Sequence, residues 1–461
     1  MGAAYDSEER DPAPRCLVGT RREVLEKIET WVRAGSGGTS VLWLHGPAGA
    51  GKSAIAQTVA ETRAGHNQLA ATFFFARTVA GRNSIRYLFP TIAAQIALSA
   101  PEKRQRLDGT LNCDPWIAER ASGSVDLVAS LFKKPSVLVP SSPFLVIIDG
   151  LDECQGHDDQ RRILTQVYHM VNTHHLPLRF LIVSRPESHL LEAFEDPALA
   201  NITEMLSLYG DFQANSNDVS TYLRSEFSRI YHSKQHRDIM EFVPGPWPCD
   251  DTVNTLITKS GGYFIYPSTV IRFIDEEGFS PTDRLSLVLD SSELSISPSD
   301  SVPFAELDRL YSQILSSYPT SQLHKLKQIL GHVVFPFVNS RLTLDTDIIA
   351  PADIEALLCL PRGQVKLMLR GMRSLVSFLE SPLGVGLHLY HASFGDFLHD
   401  KARSKSYHVD SEEWMYTAFC DGFSLGCHIL GCSVNAGIDS ASGHPKGLFV
   451  AVTSIHKSRR E

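Results

Sequence analysis

Three short stretches carry residue types that could do phosphate chemistry together. The first, Gly46-Pro47-Ala48-Gly49-Ala50-Gly51-Lys52-Ser53, follows the apolar run Val41 to Leu44 and precedes a helical pattern over 54–64 with Ile55 and Val59 on one face. Glycines at 46, 49 and 51 let the backbone turn its amides inward. A polyphosphate would then be cradled by N–H donors at the positive end of the following helix. Lys52 would reach the terminal phosphates, and Ser53 would ligate a magnesium ion shared with them.

The second stretch, Asp149-Gly150-Leu151-Asp152-Glu153, ends the apolar run 143–149. Asp149 at the strand tip is placed to hold the magnesium through water, because that ion keeps much of its hydration shell. Asp152 or Glu153 would orient and deprotonate an attacking water, since cleaving a phosphoanhydride needs a positioned nucleophile and charge stabilisation rather than covalent help. The third stretch is Ser184-Arg185-Pro186, where Arg185 would sense the terminal phosphate and stabilise transition-state charge. An arginine paired with a nearby carboxylate is the plainer alternative. No N/T-K-x-D string follows a strand, and Thr258-Lys259-Ser260-Gly261 lacks the aspartate, so adenine is favoured: ATP and ADP first, GTP second.

These residues must be held by alternating strands and helices. Strand patterns occupy 41–44, 71–75, 143–149 and 178–185, with helical patterns at 21–33, 54–64, 84–97 and 158–171 between and before them. Such alternation implies a doubly wound α/β domain with a parallel sheet, whose ligand crevice lies at the carboxyl ends of the strands. Beyond residue 203 the pattern turns helical, at 217–231 and 251–274, then reaches a serine- and proline-rich linker from Ser291 to Pro303. Further helices are expected at 304–317, 321–334, 351–358 and 362–379, followed by a strand at 387–391, which together suggest a winged-helix module.

With 461 residues the chain has material for about three domains. Its formal net charge of −9 disfavours a nucleic-acid-coating role. No apolar run reaches the length that crosses a bilayer, and the charged first fourteen residues do not form a secretion signal, so the expectation is an intracellular, cytoplasmic protein. The eight cysteines show no C-x-x-C pair and are expected to be reduced thiols, mostly packing residues. Eighteen histidines show no metal-ligand spacing, and no structural metal is expected.

The three motifs in this order resemble those of NACHT-domain proteins, signal-transducing ATPases with numerous domains related to the NOD-like immune receptors. The wording from Leu42 to Ser53, with Gly261-Gly262-Tyr263-Phe264-Ile265-Tyr266 and Tyr390-His391-Ala392-Ser393-Phe394-Gly395-Asp396-Phe397-Leu398, is most similar to NACHT proteins of mushroom-forming fungi, from Cys16 to Asp400. The resemblance implies an ATP/ADP-controlled switch in innate immunity or non-self recognition. It would be closed with ADP and self-assembling after exchange for ATP, signalling to protein partners that the sequence does not name. Residues 1–16, polar and ending near Pro12 and Pro14, read as a tail or the end of a linker, and the resemblance implies a nucleotide-binding domain at 17–202 and a helical lid with linker at 203–300. A winged-helix domain at 301–405 and a poorly patterned segment at 406–461 would complete the chain. Under it, Pro267 takes the place of a lid proline that touches adenine, and His391 that of a winged-helix histidine that touches ADP. Ala392 stands where an aspartate usually follows that histidine. The signalling domain and repeat array of fungal relatives have no room here.

Two other readings use the same residues. A P-loop kinase or other phosphotransferase would need an acceptor pocket. A winged-helix DNA reader would use Arg362, Lys366, Arg370 and Arg373, which could share one helical face.

Overall fold

The computed structural model describes residues 2–410, except 11–12, 35–37, 78, 80, 100, 115, 118–122, 133–142, 210–211, 291–304, 317, 336–349 and 382–383. The expected linker from Ser291 to Pro303 and nearly all of 406–461 thus lie outside the described residues.

The apolar runs pair into a parallel sheet of five strands: β1 (Val41–His45), β2 (Leu69–Phe74), β3 (Phe144–Asp149), β4 (Leu178–Ser184) and β5 (Thr203–Ser207). Their order is β2-β3-β4-β1-β5. Every residue of β4 is buried, as continuous apolar strands covered on both faces should be. On one face Leu42, Leu44 and Leu181 meet Ile28 and Trp31 of the helix Arg22–Arg33 and Ile55 and Val59 of the helix Lys52–Gly65. On the other, Trp43, Phe73, Val146 and Phe180 meet Leu88, Phe89 and Ile92 of the helix Ile85–Leu98 and Ile163 of the helix His157–Tyr168. This is the α/β fold of P-loop NTPases, with a doubly wound sheet.

Two boundaries differ from expectation. The sheet continues past residue 202, because β5 pairs with β1 from Val41↔Thr203 to His45↔Ser207. Its sequence, Thr-Glu-Met-Leu-Ser, is largely exposed at the sheet edge and so lacks the apolar signature of a central strand. At the opposite edge, residues 2–10 are no free tail. The Phe74 amide of β2 donates to the Ala3 carbonyl at 2.9 Å, and the Tyr5 amide donates to Thr72 Oγ1 at 2.9 Å. The Ala3 side chain is wholly buried.

After β5 the helices Phe212–Tyr231, Asp250–Ser260, Ile265–Ile274 and Pro281–Asp290 are followed by Ala305–Ser316, Leu323–Val334, Pro351–Leu357 and Gln364–Met368. An antiparallel hairpin, β6 (Val376–Ser381) with β7 (Gly384–Leu389), and the helix Ala392–His399 complete this half. They share one core, in which Leu223, Phe227, Val270, Tyr311, Ile329 and Phe394 are buried.

The helix expected over 251–274 is two helices, because Gly261 and Gly262 adopt φ of 57° and 82°, the left-handed conformation that ends a helix. The helix expected over 362–379 also breaks. Only Gln364–Met368 is α-helical, a tighter turn covers Arg370–Met372, and the chain then becomes β6. The apolar alternation from Val376 finds its partner in β7, a long-range pairing invisible to local periodicity. Arg362, Lys366, Arg370 and Arg373 therefore share no helical face, which removes the geometry on which the DNA-reader alternative stood. No described helix is long and apolar enough to cross a membrane.

Candidate functional site

The carboxyl ends of β1, β3 and β4 open into a crevice of about 1230 Å³. Gly49, Gly51, Lys52, Ser53, Asp149, Asp152, Glu153, Arg185 and His391 all line it. The crevice is closed from one side by the helix Ile265–Ile274 and by the hairpin half, which contributes Lys366, Arg373 and Tyr390.

The phosphate loop turns as its glycines allow, and Gly49 (φ 72°) shows why one of them is needed. A Cβ added there would come within 2.2 Å of Ile265 Cγ2. The Ile265 amide donates to the Gly49 carbonyl at 3.2 Å, so the loop and the next module touch through backbone. Lys52 Nζ donates to the carbonyls of Gly46 (2.9 Å) and Pro47 (2.8 Å). Burial pulls the Lys52 ammonium down to about 8, while Asp152 and Asp149 oppose that shift.

Asp149 is buried, and its Oδ1 has no hydrogen-bond partner among the described residues. Burial holds its carboxyl up at about 6 against the pull of the Ser53 hydroxyl, Arg10 and Lys52. An orphaned carboxylate oxygen beside the Ser53 hydroxyl, on a loop of inward-turning backbone, fits a hydrated divalent cation shared with a polyphosphate. Asp152 and Glu153 are not equivalent. Asp152 Oδ1 accepts from the Arg185 amide at 3.0 Å and its Oδ2 lies 3.3 Å from Arg185 Nε, so both oxygens are engaged. Glu153 Oε2 accepts from the Arg77 amide at 3.1 Å. Burial and the neighbouring Asp152 charge push the Glu153 carboxyl well above the usual carboxylate range.

Arg185 reaches further, and in doing so satisfies the plainer alternative read for it. Its Nη1 lies 2.8 Å from Oδ2 of Asp396, on the helix Ala392–His399, and Arg77 Nη1 lies 3.3 Å from Oδ1 of the same carboxylate. One aspartate from the far half thus spans two arginines of the sheet half. His391 caps that helix: its Nδ1 accepts from the Ser393 amide at 3.0 Å, which leaves Nε2 to carry the proton. Burial, with Arg185 and Lys52 nearby, holds the imidazole down at about 3, so it is neutral.

Pro267 does not line the crevice. It is buried in its helix, and Ile265, Ser268 and Arg272, spaced three and four apart, face the opening instead. Sequence reasoning also missed Arg77, Arg21 and Asp396. Arg21 (φ 56°) donates from Nη2 to the Ala50 carbonyl of the phosphate loop at 2.8 Å, and its amide donates to Asp218 Oδ2 at 3.0 Å. Its sequence position is the first turn of an amphipathic helix, and nothing in that periodicity separates it from a solvated arginine. Asp396 is legible in part: the resemblance places an aspartate at 392, where Ala392 stands, and one stands a turn further along the same helix.

Of the five described cysteines, Cys154 is buried and Cys16 half-buried, whereas Cys113, Cys249 and Cys359 are exposed rather than packed.

Residues 19–185 match the family described as nephrocystin 3, N-terminal, a span that contains the phosphate loop, Asp149 to Glu153 and Arg185. No curated protein matches the sequence. Among solved structures the chain is similar to a Drosophila ORC bound to DNA, at 11% identity over 91% of this chain and 97% of that one, with a TM-score of 0.40. It is similar to the Aeropyrum pernix ORC1 protein in complex with DNA, at 12% identity, 87% and 94% coverage and a TM-score of 0.37. Cdc6p from Pyrobaculum aerophilum gives 13% identity, 92% and 99% coverage and 0.36.

Proposed function

We propose that this chain is a nucleotide-controlled conformational switch of the NACHT type, acting in the cytoplasm, that binds ATP and slowly hydrolyses it to ADP and phosphate. The observation that carries the reading is Asp396, which reaches from the far half to within 2.8 Å of Arg185 at the crevice. An enzyme that merely processed nucleotide would have no use for a carboxylate that neutralises its phosphate-sensing arginine. A switch does, because a triphosphate and Asp396 then compete for one cation while a diphosphate leaves the pair intact.

In this reading the phosphate-loop amides and Lys52 hold the phosphates, and Ser53 with Asp149 would hold magnesium, which would supply charge neutralisation to them. Glu153 takes the proton of the attacking water, since both oxygens of Asp152 are committed to Arg185. Asp152 holds Arg185 in place. His391 reports the nucleotide state through its neutral imidazole. The hairpin β6–β7 and the helices before it serve as the winged helix, and the helices Phe212–Tyr231 to Pro281–Asp290 as the lid. Release of the far half exposes surface for self-assembly, the output expected of a receptor in fungal immunity or non-self recognition.

Two measurements on the purified full chain test this: identification of the copurifying nucleotide, and phosphate release from ATP with and without a panel of small acceptors. Bound adenine nucleotide and slow release to inorganic phosphate alone support the switch. Rapid transfer to an acceptor would establish a phosphotransferase instead.

A further inference from the structure

The segment 2–10 does more than cover the edge of β2. It ends in Arg10, whose guanidinium carbon lies 3.4 Å above the centre of the Phe74 ring, while its Nη1 donates to Gln57 Oε1 at 2.8 Å and to the Ala4 carbonyl at 3.3 Å. Phe74 is the β2 residue in register with Asp149, and the next amide, that of Phe75, donates to the Asp149 carbonyl at 2.8 Å. A second arginine meets the same residue: Arg82, only 8% exposed, donates from Nε to the Phe74 carbonyl at 3.0 Å. Arg10 and Arg82 both line the crevice.

Each guanidinium carries five N–H donors. Among the described residues no carboxylate lies within ion-pair distance of either, although Glu9, Glu61, Glu153 and Asp149 are near enough to be felt. Half-buried Arg10 and buried Arg82 both meet Phe74 with no described acid at ion-pair distance, and the Arg82 charge disfavours the Arg10 cation, an arrangement that an anion would relieve. The site lies beyond Asp149 from the phosphate loop, since β2 is the strand on the far side of β3 from β4 and β1.

We infer that Arg10 and Arg82 form a second anion seat, for inorganic phosphate, on the β2 side of Asp149. This rests on the reading of the crevice as a nucleotide site: the seat takes the phosphate cleaved there and delays its departure while ADP remains on the loop. Planar guanidinium groups suit a tetrahedral oxyanion, which they bind through paired donors.

The test titrates inorganic phosphate into the full chain loaded with magnesium and ADP, following heat or phosphorus resonance. The expected result is saturable phosphate binding that Arg10→Gln and Arg82→Gln each weaken at least tenfold, with ADP affinity unchanged within twofold. Arg10→Lys keeps the charge without the paired donors, so it should restore part of the phosphate binding that Arg10→Gln loses, which separates the seat from the packing role of the segment. Phosphate that fails to bind the ADP-loaded parent, or binds parent and both glutamine variants alike, overturns the inference and leaves the nucleotide reading standing. A parent that binds no ADP overturns both.

Discussion

Replacing Asp396 with asparagine should change how the chain weighs ATP against ADP. The Arg185–Asp396 pair is 2.8 Å apart, with side chains 20% and 27% exposed. Coulomb's law at an effective dielectric of about 20 gives about 6 kcal/mol at that separation. Water at the partly open rim and the residual contact of Arg185 with Asp152 return most of this. The net value falls between an exposed pair, at about 1 kcal/mol or less, and the loss of a buried partner, at about 3–5 kcal/mol. A cost of about 1–2 kcal/mol corresponds to a factor of about 5–30. If Asp396 competes with a terminal phosphate for Arg185, Asp396→Asn should tighten a non-hydrolysable ATP analogue by that factor while ADP changes by less than about twofold. Fluorescent-nucleotide titration of both ligands reads the ratio, and melting of each variant confirms the fold. The gain should vanish when Arg185→Ala is added, since the competed-for cation is then gone. An unchanged ATP-to-ADP ratio, or equal gains for both nucleotides, would refute the competition.

Other outcomes follow from the same geometry. Lys52→Ala removes the cation at the loop and should abolish measurable binding of either nucleotide in equilibrium dialysis. Glu153→Gln should keep nucleotide binding but lower hydrolysis by about 10²–10⁴ in a phosphate-release assay. In the parent, hydrolysis should rise as pH rises through neutrality, because the raised Glu153 carboxyl must lose its proton before it can accept one from water. Asp149, at about 6, and Glu153 both hold protons in the fold where the unfolded chain has lost them. Their joint contribution to stability therefore falls as pH rises from the ordinary carboxylate range toward their raised values, and Asp149→Asn should flatten that part of a melting-temperature profile. Gly49→Ala forces a side chain into the left-handed region, at about 1–2 kcal/mol, and into Ile265. It should lower the melting temperature and weaken ATP together, and melting unchanged from the parent would contradict the close approach.

The phosphate loop, Asp149 and Arg185 were legible because each lies at the end of a buried parallel strand, where an unbroken apolar run marks the strand and the first polar residue marks its tip. β5 was not legible, since an edge strand that exposes Glu204, Met205 and Ser207 carries no such run. The breaks at Gly261–Gly262 and before β6 were hidden for different reasons. The first needed glycine's left-handed conformation to outweigh a helical pattern on both sides, and the second depended on a strand partner elsewhere in the chain. Pro267 rests on motif position alone and is buried in its helix, whereas helical spacing from Ile265 turns Ser268 and Arg272 to the crevice. Asp396, Arg77 and Arg10 were out of reach because their significance lies in which residue they meet across the fold, as with the 319 positions that separate Arg77 from Asp396.

In the proposed switch, nucleotide on the loop decides whether the far half stays clamped. The solution mass of the full chain, measured with magnesium and ADP and again with a non-hydrolysable ATP analogue, tests it most directly. A single-chain mass with ADP and a multiple of it with the analogue, with Lys52→Ala staying at the single-chain mass in both, is the predicted result. The same mass in both nucleotide states, once binding of each has been verified, would contradict it.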